Sequence, residues 1–255
     1  MDGDTWTFTV TAADGTPMPE YNPVVLTPVA GETEAVIDFG SIKYNLMDVG
    51  KTYTYTITET GTIAGVTNDS VKTVTVTVSD NDDGTLKIDN SCETTPVEFV
   101  NTYEATGSYI PVAVKVMEGR DLTAEEFSFE LKDADGKVLD TAKNAADGTI
   151  TFKEITYTLD DVANSPITYT ISEAAGNDKS VAYDAHEETT AVTLTDNGDG
   201  TITAEADKQP KELVFTNKTF KVKVQKVDVA TGEELDGAVI QVLDQDGIVF
   251  CIEDS

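Results

Sequence analysis

Apolar and polar residues alternate with a period of two along most of this chain. Trp6-Thr-Phe-Thr-Val10, Tyr53-Thr-Tyr-Thr-Ile-Thr58 and Val74-Thr-Val-Thr-Val78 are typical stretches. That period marks strands with one buried face, and β-branched Thr suits the wet face. Asp-Gly pairs punctuate the strands at Asp14-Gly15, Asp83-Gly84, Asp135-Gly136, Asp147-Gly148, Asp199-Gly200 and Asp246-Gly247. These are the residues a tight hairpin demands. One weak helical turn is expected at Thr123 to Glu126. The pattern predicts an all-β chain of tandem immunoglobulin-like sandwiches.

The strand pattern also repeats. Phe127-Ser-Phe-Glu-Leu131 echoes Trp6-Thr-Phe-Thr-Val10, and Tyr169-Thr-Ile-Ser-Glu173 echoes Tyr55-Thr-Ile-Thr-Glu59. Ile155-Thr-Tyr-Thr-Leu159 matches Ile42-Lys-Tyr-Asn-Leu46, and Phe215-Thr-Asn217 matches Phe99-Val-Asn101. Two copies of one domain are therefore expected, followed by the start of a third pattern. The expected units are 1–104, 105–219 and 220–255. In the second copy the strand Val112-Ala-Val-Lys-Val116 precedes Phe127; the matching stretch of the first copy would fall before Met1. The first copy is thus expected to lack its opening strand and to expose a sheet edge, and the third module to be truncated.

Composition narrows the function classes. Of 255 residues, 17 are Lys or Arg and 47 are Asp or Glu, so the net charge is −30. So negative a field repels nucleic-acid phosphate and anionic lipid, which makes both poor partners. No apolar run approaches the roughly 18 residues that a membrane span requires, and Met1 to Val10 does not read as a signal peptide. Cys92 and Cys251 lie far apart and form no ligand or redox spacing. His186 is the only histidine, which argues against His-based triads and two-His zinc sites. The acidic turns near Asp80 and Asp196 do not fit a calcium loop. No cofactor is expected.

Three polar residues in the second copy break the alternation. Glu173 shares a strand face with Tyr169 and Ile171, Asn217 with Leu213 and Phe215, and Lys115 with Ala113 and Met117. The first copy repeats two of them, Glu59 and Asn101, and Lys226 shares its face with Val222 and Val224. An unpaired buried charge is costly, so such residues must meet or lose their charge. A buried Lys–Glu pair can become neutral by moving one proton. The amine is then a nucleophile, and a carboxylic acid can polarise the Asn carbonyl. Attack with loss of ammonia would leave a Lys–Asn isopeptide bond.

The set Val112-Ala-Val-Lys-Val-Met-Glu-Gly-Arg-Asp-Leu122, Phe127-Ser-Phe-Glu-Leu131, Tyr169-Thr-Ile-Ser-Glu173 and Val214-Phe-Thr-Asn217 resembles the isopeptide-linkage domain of Gram-positive shaft pilins. The resemblance implies a Lys115–Asn217 crosslink promoted by Glu173. It makes Glu59 the equivalent acid of the first copy, and leaves Asn101 and Lys226 as unpaired crosslink candidates. Lys226-Val-Asp-Val-Ala-Thr-Gly-Glu-Glu-Leu-Asp-Gly-Ala238 resembles the opening of a collagen-adhesin B-type domain. The implied role is a non-enzymatic stalk on the outside of the cell wall, with neighbouring domains or pilin subunits as partners. A polymerised pilin and a single-chain stalk both fit. An adhesin binding a host protein or glycan through exposed loops is the alternative, although no long insert or exposed aromatic cluster supports it.

Overall fold

The computed structural model describes residues 5–27, 29, 32–93, 95–219, 230–231, 242–243 and 249–250. Its first half contains β1 (Trp6–Thr11), β2 (Val24–Leu26), β3 (Thr52–Thr60), β4 (Val66–Thr67), β5 (Lys72–Asp80), β6 (Leu86–Asn90) and β7 (Thr102–Tyr103). After these come β8 (Thr106–Tyr109), β9 (Val112–Glu118), β10 (Ser128–Lys132), β11 (Val138–Lys143), β12 (Thr149–Thr151) and β13 (Ile155–Thr158). The second half is completed by β14 (Ile167–Glu173), β15 (Val181–Ala182), β16 (Glu187–Asp196), β17 (Ile202–Ala206) and β18 (Val214–Thr219). A further pair, β19 (Val242–Leu243) and β20 (Val249–Phe250), is antiparallel.

The second unit is a two-layer sandwich. One sheet has the order β11-β10-β14-β16-β17, and the sheet facing it has the order β12-β9-β18-β15. Phe129, Leu131, Ile150, Ile171, Val192 and Phe215, none of them accessible to solvent, fill the space between the sheets. Period-two alternation alone explains which residues point inward, since consecutive side chains of a strand leave by opposite faces. Tyr157 and Tyr169 are buried there too, and their hydroxyls meet at 2.9 Å, so neither is left without a partner. The final strand β18 runs parallel to β9, with Phe215 opposite Lys115 and Asn217 opposite Met117.

The first unit repeats the first of these sheets strand for strand, as β2-β1-β3-β5-β6. The layer facing it is different. Residues 36–38 and 97–101, which match β12 and β18, belong to no strand, although burial alternates along 97–101 as it would in one. Phe99 nevertheless packs edge-on against Phe8 of β1, with ring centroids 5.2 Å apart. Only Val10, Tyr55 and Val76 form the buried centre of this unit's main apolar cluster.

The Asp-Gly turns form as the sequence predicts: Gly15, Gly84, Gly136, Gly148 and Gly200 all have positive φ. Asp246-Gly247 lies outside the described residues. The expected helical turn at Thr123 to Glu126 does not form. Glu125 sits at φ 60°, in the left-handed region, where a right-handed helix cannot continue. The short helix α1 falls instead at Leu159–Val162, where the Asp161 carboxylate accepts the Thr158 N–H at 2.7 Å.

The two units meet in a close backbone contact. Gly65, at φ 77°, lies so near Gly200 that a Cβ on Gly65 would come within 2.6 Å of the Gly200 Cα. Around it the Glu104 N–H donates to the Gly65 carbonyl at 2.8 Å, and the Thr106 N–H to the Gly200 carbonyl at 3.1 Å. The Tyr103 hydroxyl donates to Asp196 at 2.7 Å. Replacing Gly65 by Ala should therefore force the junction apart while leaving each sandwich folded. Residual dipolar couplings should show two alignment tensors in Gly65→Ala and one in the wild type; a single shared tensor in both would refute the clasp.

Candidate functional site

Lys115, Glu173 and Asn217 meet between the two sheets of the second unit. Lys115 comes from β9 and Asn217 from the neighbouring β18, both on the inward face; Glu173 ends β14 of the opposite sheet. The Lys115 Nζ donates to Glu173 Oε2 at 2.5 Å, and the Asn217 Nδ2 donates to Glu173 Oε1 at 2.6 Å. One carboxylate thus holds the amine with one oxygen and the amide with the other. The side chains of Lys115 and Glu173 are both 0% exposed. Phe127 and Phe129 cover the amine, their ring centroids 4.7 and 5.8 Å from Nζ.

Two local features deliver the lysine. The Lys115 N–H donates to the Gly148 carbonyl at 2.7 Å, which fixes β9 to the 147–148 turn. Gly148 has φ 89°, and a Cβ there would come within 2.3 Å of the Lys115 carbonyl oxygen, so only glycine fits. Burial pushes the Lys115 ammonium below its ordinary range, and the Glu173 carboxylate opposes that shift.

Asp184 is the residue that alternation could not reveal. Its backbone N–H donates to the Asn217 Oδ1 at 2.7 Å, and its own Oδ2 accepts the Thr216 N–H at 2.7 Å. Asp184 therefore clamps β18 beside Asn217 and aims a donor at the amide oxygen. It lies in a loop, where no period exists to read; the spacing of Asp69 and Asp184 before their Asn partners was the available signal.

Comparison with known proteins fits this geometry. The Spy0128-like isopeptide containing domain family, FctA, matches residues 1–104 and again residues 111–241. The chain belongs to this family. Among solved structures, the major pilin protein (T3.2) of Streptococcus pyogenes serotype GAS13637 is similar at 18% identity, over 85% of this chain and 90% of that one. The TM-score of that match is 0.26. No curated protein matches.

The two Spy0128-like domains hold different sets. In the first, the Asn101 Nδ2 donates to Glu59 Oε1 at 2.7 Å, and the Asp69 N–H donates to Asn101 Oδ1 at 2.9 Å. Asp69 Oδ2 also accepts the Val100 N–H at 2.8 Å, as Asp184 does from Thr216. Acid, amide and clamp are all present. Among the described residues no lysine pairs with Glu59, and its Oε2 is the one buried side-chain polar atom among them with no hydrogen-bond partner. The nearby Lys72 pairs with Asp69 at 2.8 Å instead. Lys226 lies outside the described residues, as do Cys251 and most of the stretch likened to a collagen-adhesin domain. Among the described residues, no group of three His, Cys, Asp or Glu is arranged to hold a metal, and no helix is long and apolar enough to cross a membrane.

His186 reports on the clamp. Its Nδ1 lies 2.5 Å from Asp184 Oδ1 and its Nε2 3.2 Å from Glu188, while the ring stacks on Phe215. The Asp184 carboxylate raises the imidazole above its ordinary 6.5. Because the folded value is the higher, this contribution to stability is complete below about 6.5 and fades as pH rises through the folded midpoint. An NMR titration should place the His186 midpoint above 6.5, and Asp184→Asn should move it down. An unchanged midpoint in that variant would discount the contact.

Proposed function

We propose that the chain is part of the structural shaft of a Gram-positive surface pilus, stabilised by an isopeptide bond that its second domain forms unaided between Lys115 and Asn217. The observation that carries this is the shared carboxylate: Glu173 contacts the amine and the amide, one on each oxygen, in an aromatic box. Membership of the pilin-type family supports the structural role. The role is not enzymatic, since the reaction occurs once and consumes its own side chains. Cell-wall anchorage and neighbouring pilin subunits as partners follow from the same reading.

The chemistry balances without a cofactor. Lys115 passes a proton to Glu173, leaving a neutral amine and a carboxylic acid. Nζ attacks the Asn217 Cγ, and the negative charge that develops on Oδ1 is met by the Asp184 N–H. Glu173 protonates Nδ2 and then takes a proton from Nζ. The Nζ–Cγ bond has formed, the Cγ–Nδ2 bond has broken, and Nδ2 leaves as ammonia. The site is closed to solvent and both reactants are held on one carboxylate before reaction, which lowers the entropic barrier.

The bond would join residues 102 positions apart (217 − 115). Treated like a disulfide, a loop of about 100 residues stabilises the fold by about 4–5 kcal/mol in the chain-entropy model. Because β9 and β18 are adjacent and parallel, tension entering at Val112 and leaving at Thr219 shears one strand along the other. A covalent link between those strands carries that load past everything between them.

Intact-mass spectrometry should find the folded chain lighter than its sequence by one ammonia, with a branched peptide joining Lys115 to Asn217. Lys115→Ala, Glu173→Ala and Asn217→Ala should each restore the full mass. A full mass in the folded wild type would falsify the crosslink. In single-molecule pulling, the second domain of the wild type should release no length from residues 116–216, whereas Glu173→Gln should release it all.

A further inference from the structure

The clamp on the crosslinking asparagine carries a cation in both domains. In the second domain His186 Nδ1 contacts Asp184 Oδ1, and the ring stacks on Phe215, two residues before Asn217, with centroids 5.2 Å apart. In the first domain Lys72 contacts Asp69 at 2.8 Å and lies over Phe99, two residues before Asn101, with Nζ 5.7 Å from the ring centroid. The two cations differ in type and in spacing: His186 follows its aspartate by two residues, Lys72 by three. They nevertheless enter from equivalent places. His186 lies just ahead of β16 and Lys72 begins β5, each the fourth strand of its five-stranded sheet.

We propose that protonated His186 is a positioning residue for the crosslink, holding the Asp184 N–H on the Asn217 amide oxygen, so that bond formation in the second domain is faster at mildly acidic pH. The proposal rests on the isopeptide reading of that domain. The charged groups facing the imidazole are Asp184 in its loop and Glu188 on β16, with Lys208 paired to Glu188 at 2.9 Å. From β18 the ring meets Phe215, which does not titrate.

An imidazolium has a proton on each nitrogen and can donate to Asp184 and Glu188 together. The neutral ring has one proton, so one of the two carboxylates then faces a bare lone pair. Whichever contact survives is no longer an ion pair and is the weaker for it. Asp184 Oδ2 accepts the Thr216 N–H at 2.7 Å, and Oδ1 accepts the His186 backbone N–H at 3.2 Å in addition to the ring. A carboxylate held this way fixes its own backbone, whose N–H donates to Asn217 Oδ1 at 2.7 Å. That N–H meets the charge developing on Oδ1, where a misaimed donor slows the reaction.

The Asp184 carboxylate raises the imidazole above its ordinary 6.5, so the protonated form extends toward neutral pH. The reacting pair adds no opposing slope, because Lys115 and Glu173 are closed to solvent and pass the proton between themselves. A lysine ammonium keeps its charge throughout this range, so the first domain's clamp is not switched.

The full chain should be collected uncrosslinked in guanidinium directly from cell-free synthesis and refolded by dilution between pH 5.5 and 8.5. Circular dichroism times folding, and intact-mass spectrometry follows the loss of one ammonia from the folded chain. The wild-type rate after folding should fall about tenfold from the lowest pH to the highest, short of the roughly hundredfold that removing an oxyanion donor costs. His186→Lys, which copies the first domain, should crosslink fast at every pH, and His186→Gln slowly at every pH. The His186 side chain is 44% exposed, so both substitutions are compatible with folding. A histidine with a merely structural role would change stability and leave the rate after folding flat. A flat wild-type profile, a His186→Gln chain that keeps the wild-type slope, or a His186→Lys chain as slow as His186→Gln overturns this proposal alone. A folded wild type that loses no ammonia at any pH overturns the isopeptide reading itself.

Discussion

Everything in the second domain is arranged around one electrostatic constraint: an ammonium and a carboxylate are enclosed between two β-sheets with no water to solvate them. A buried pair of this kind is seldom a net gain in stability, because desolvation of both ions offsets their attraction. In the crosslink that we propose, its value lies in reactivity. Lys115 is placed by β9 and by the turn glycine at 148, Glu173 by the end of β14, and Asn217 by β18. The aromatic rings of Phe127, Phe129 and Phe215 remove the solvent. Phe127 and Phe129 also turn their ring faces to the ammonium, which favours its charged form.

How much of this could be read in the sequence depended on whether a residue lay in a regular element. Glu59, Glu173, Asn101, Asn217 and Lys115 were legible because each interrupts an alternating strand at a point where the pattern demands an apolar side chain. The paired copies made the interruption a signal rather than noise. Asp69 and Asp184 were not legible, since both lie in loops and act through a backbone N–H as well as a carboxylate. The helical turn expected near Thr123 failed for a similar reason: Glu125 adopts a left-handed conformation to give its N–H to the Asn144 carbonyl, a tertiary contact that local propensity does not encode.

The two domains also separate what sequence determines locally from what it determines through a partner strand. The sheet β2-β1-β3-β5-β6 forms in the first domain with the order seen in the second. The facing layer does not, although residues 97–101 keep their alternating burial. Alternation sets which side chains turn inward, but a strand is completed only by hydrogen bonds to a neighbour. Residues 36–38 and 97–101 lie in no strand, and Glu59 Oε2 behind them has no hydrogen-bond partner.

The glycine contact at the domain junction has a consequence for shape. Gly65 and Gly200 touch main chain to main chain, with the Tyr103 side chain beside them. Bending one domain against the other would have to part this main-chain contact and the bonds of the Tyr103 hydroxyl, which donates to Asp196 at 2.7 Å and accepts the Gly200 N–H at 3.2 Å. At this point the two domains can part only by separating main chain from main chain, since neither glycine carries a side chain that could change rotamer.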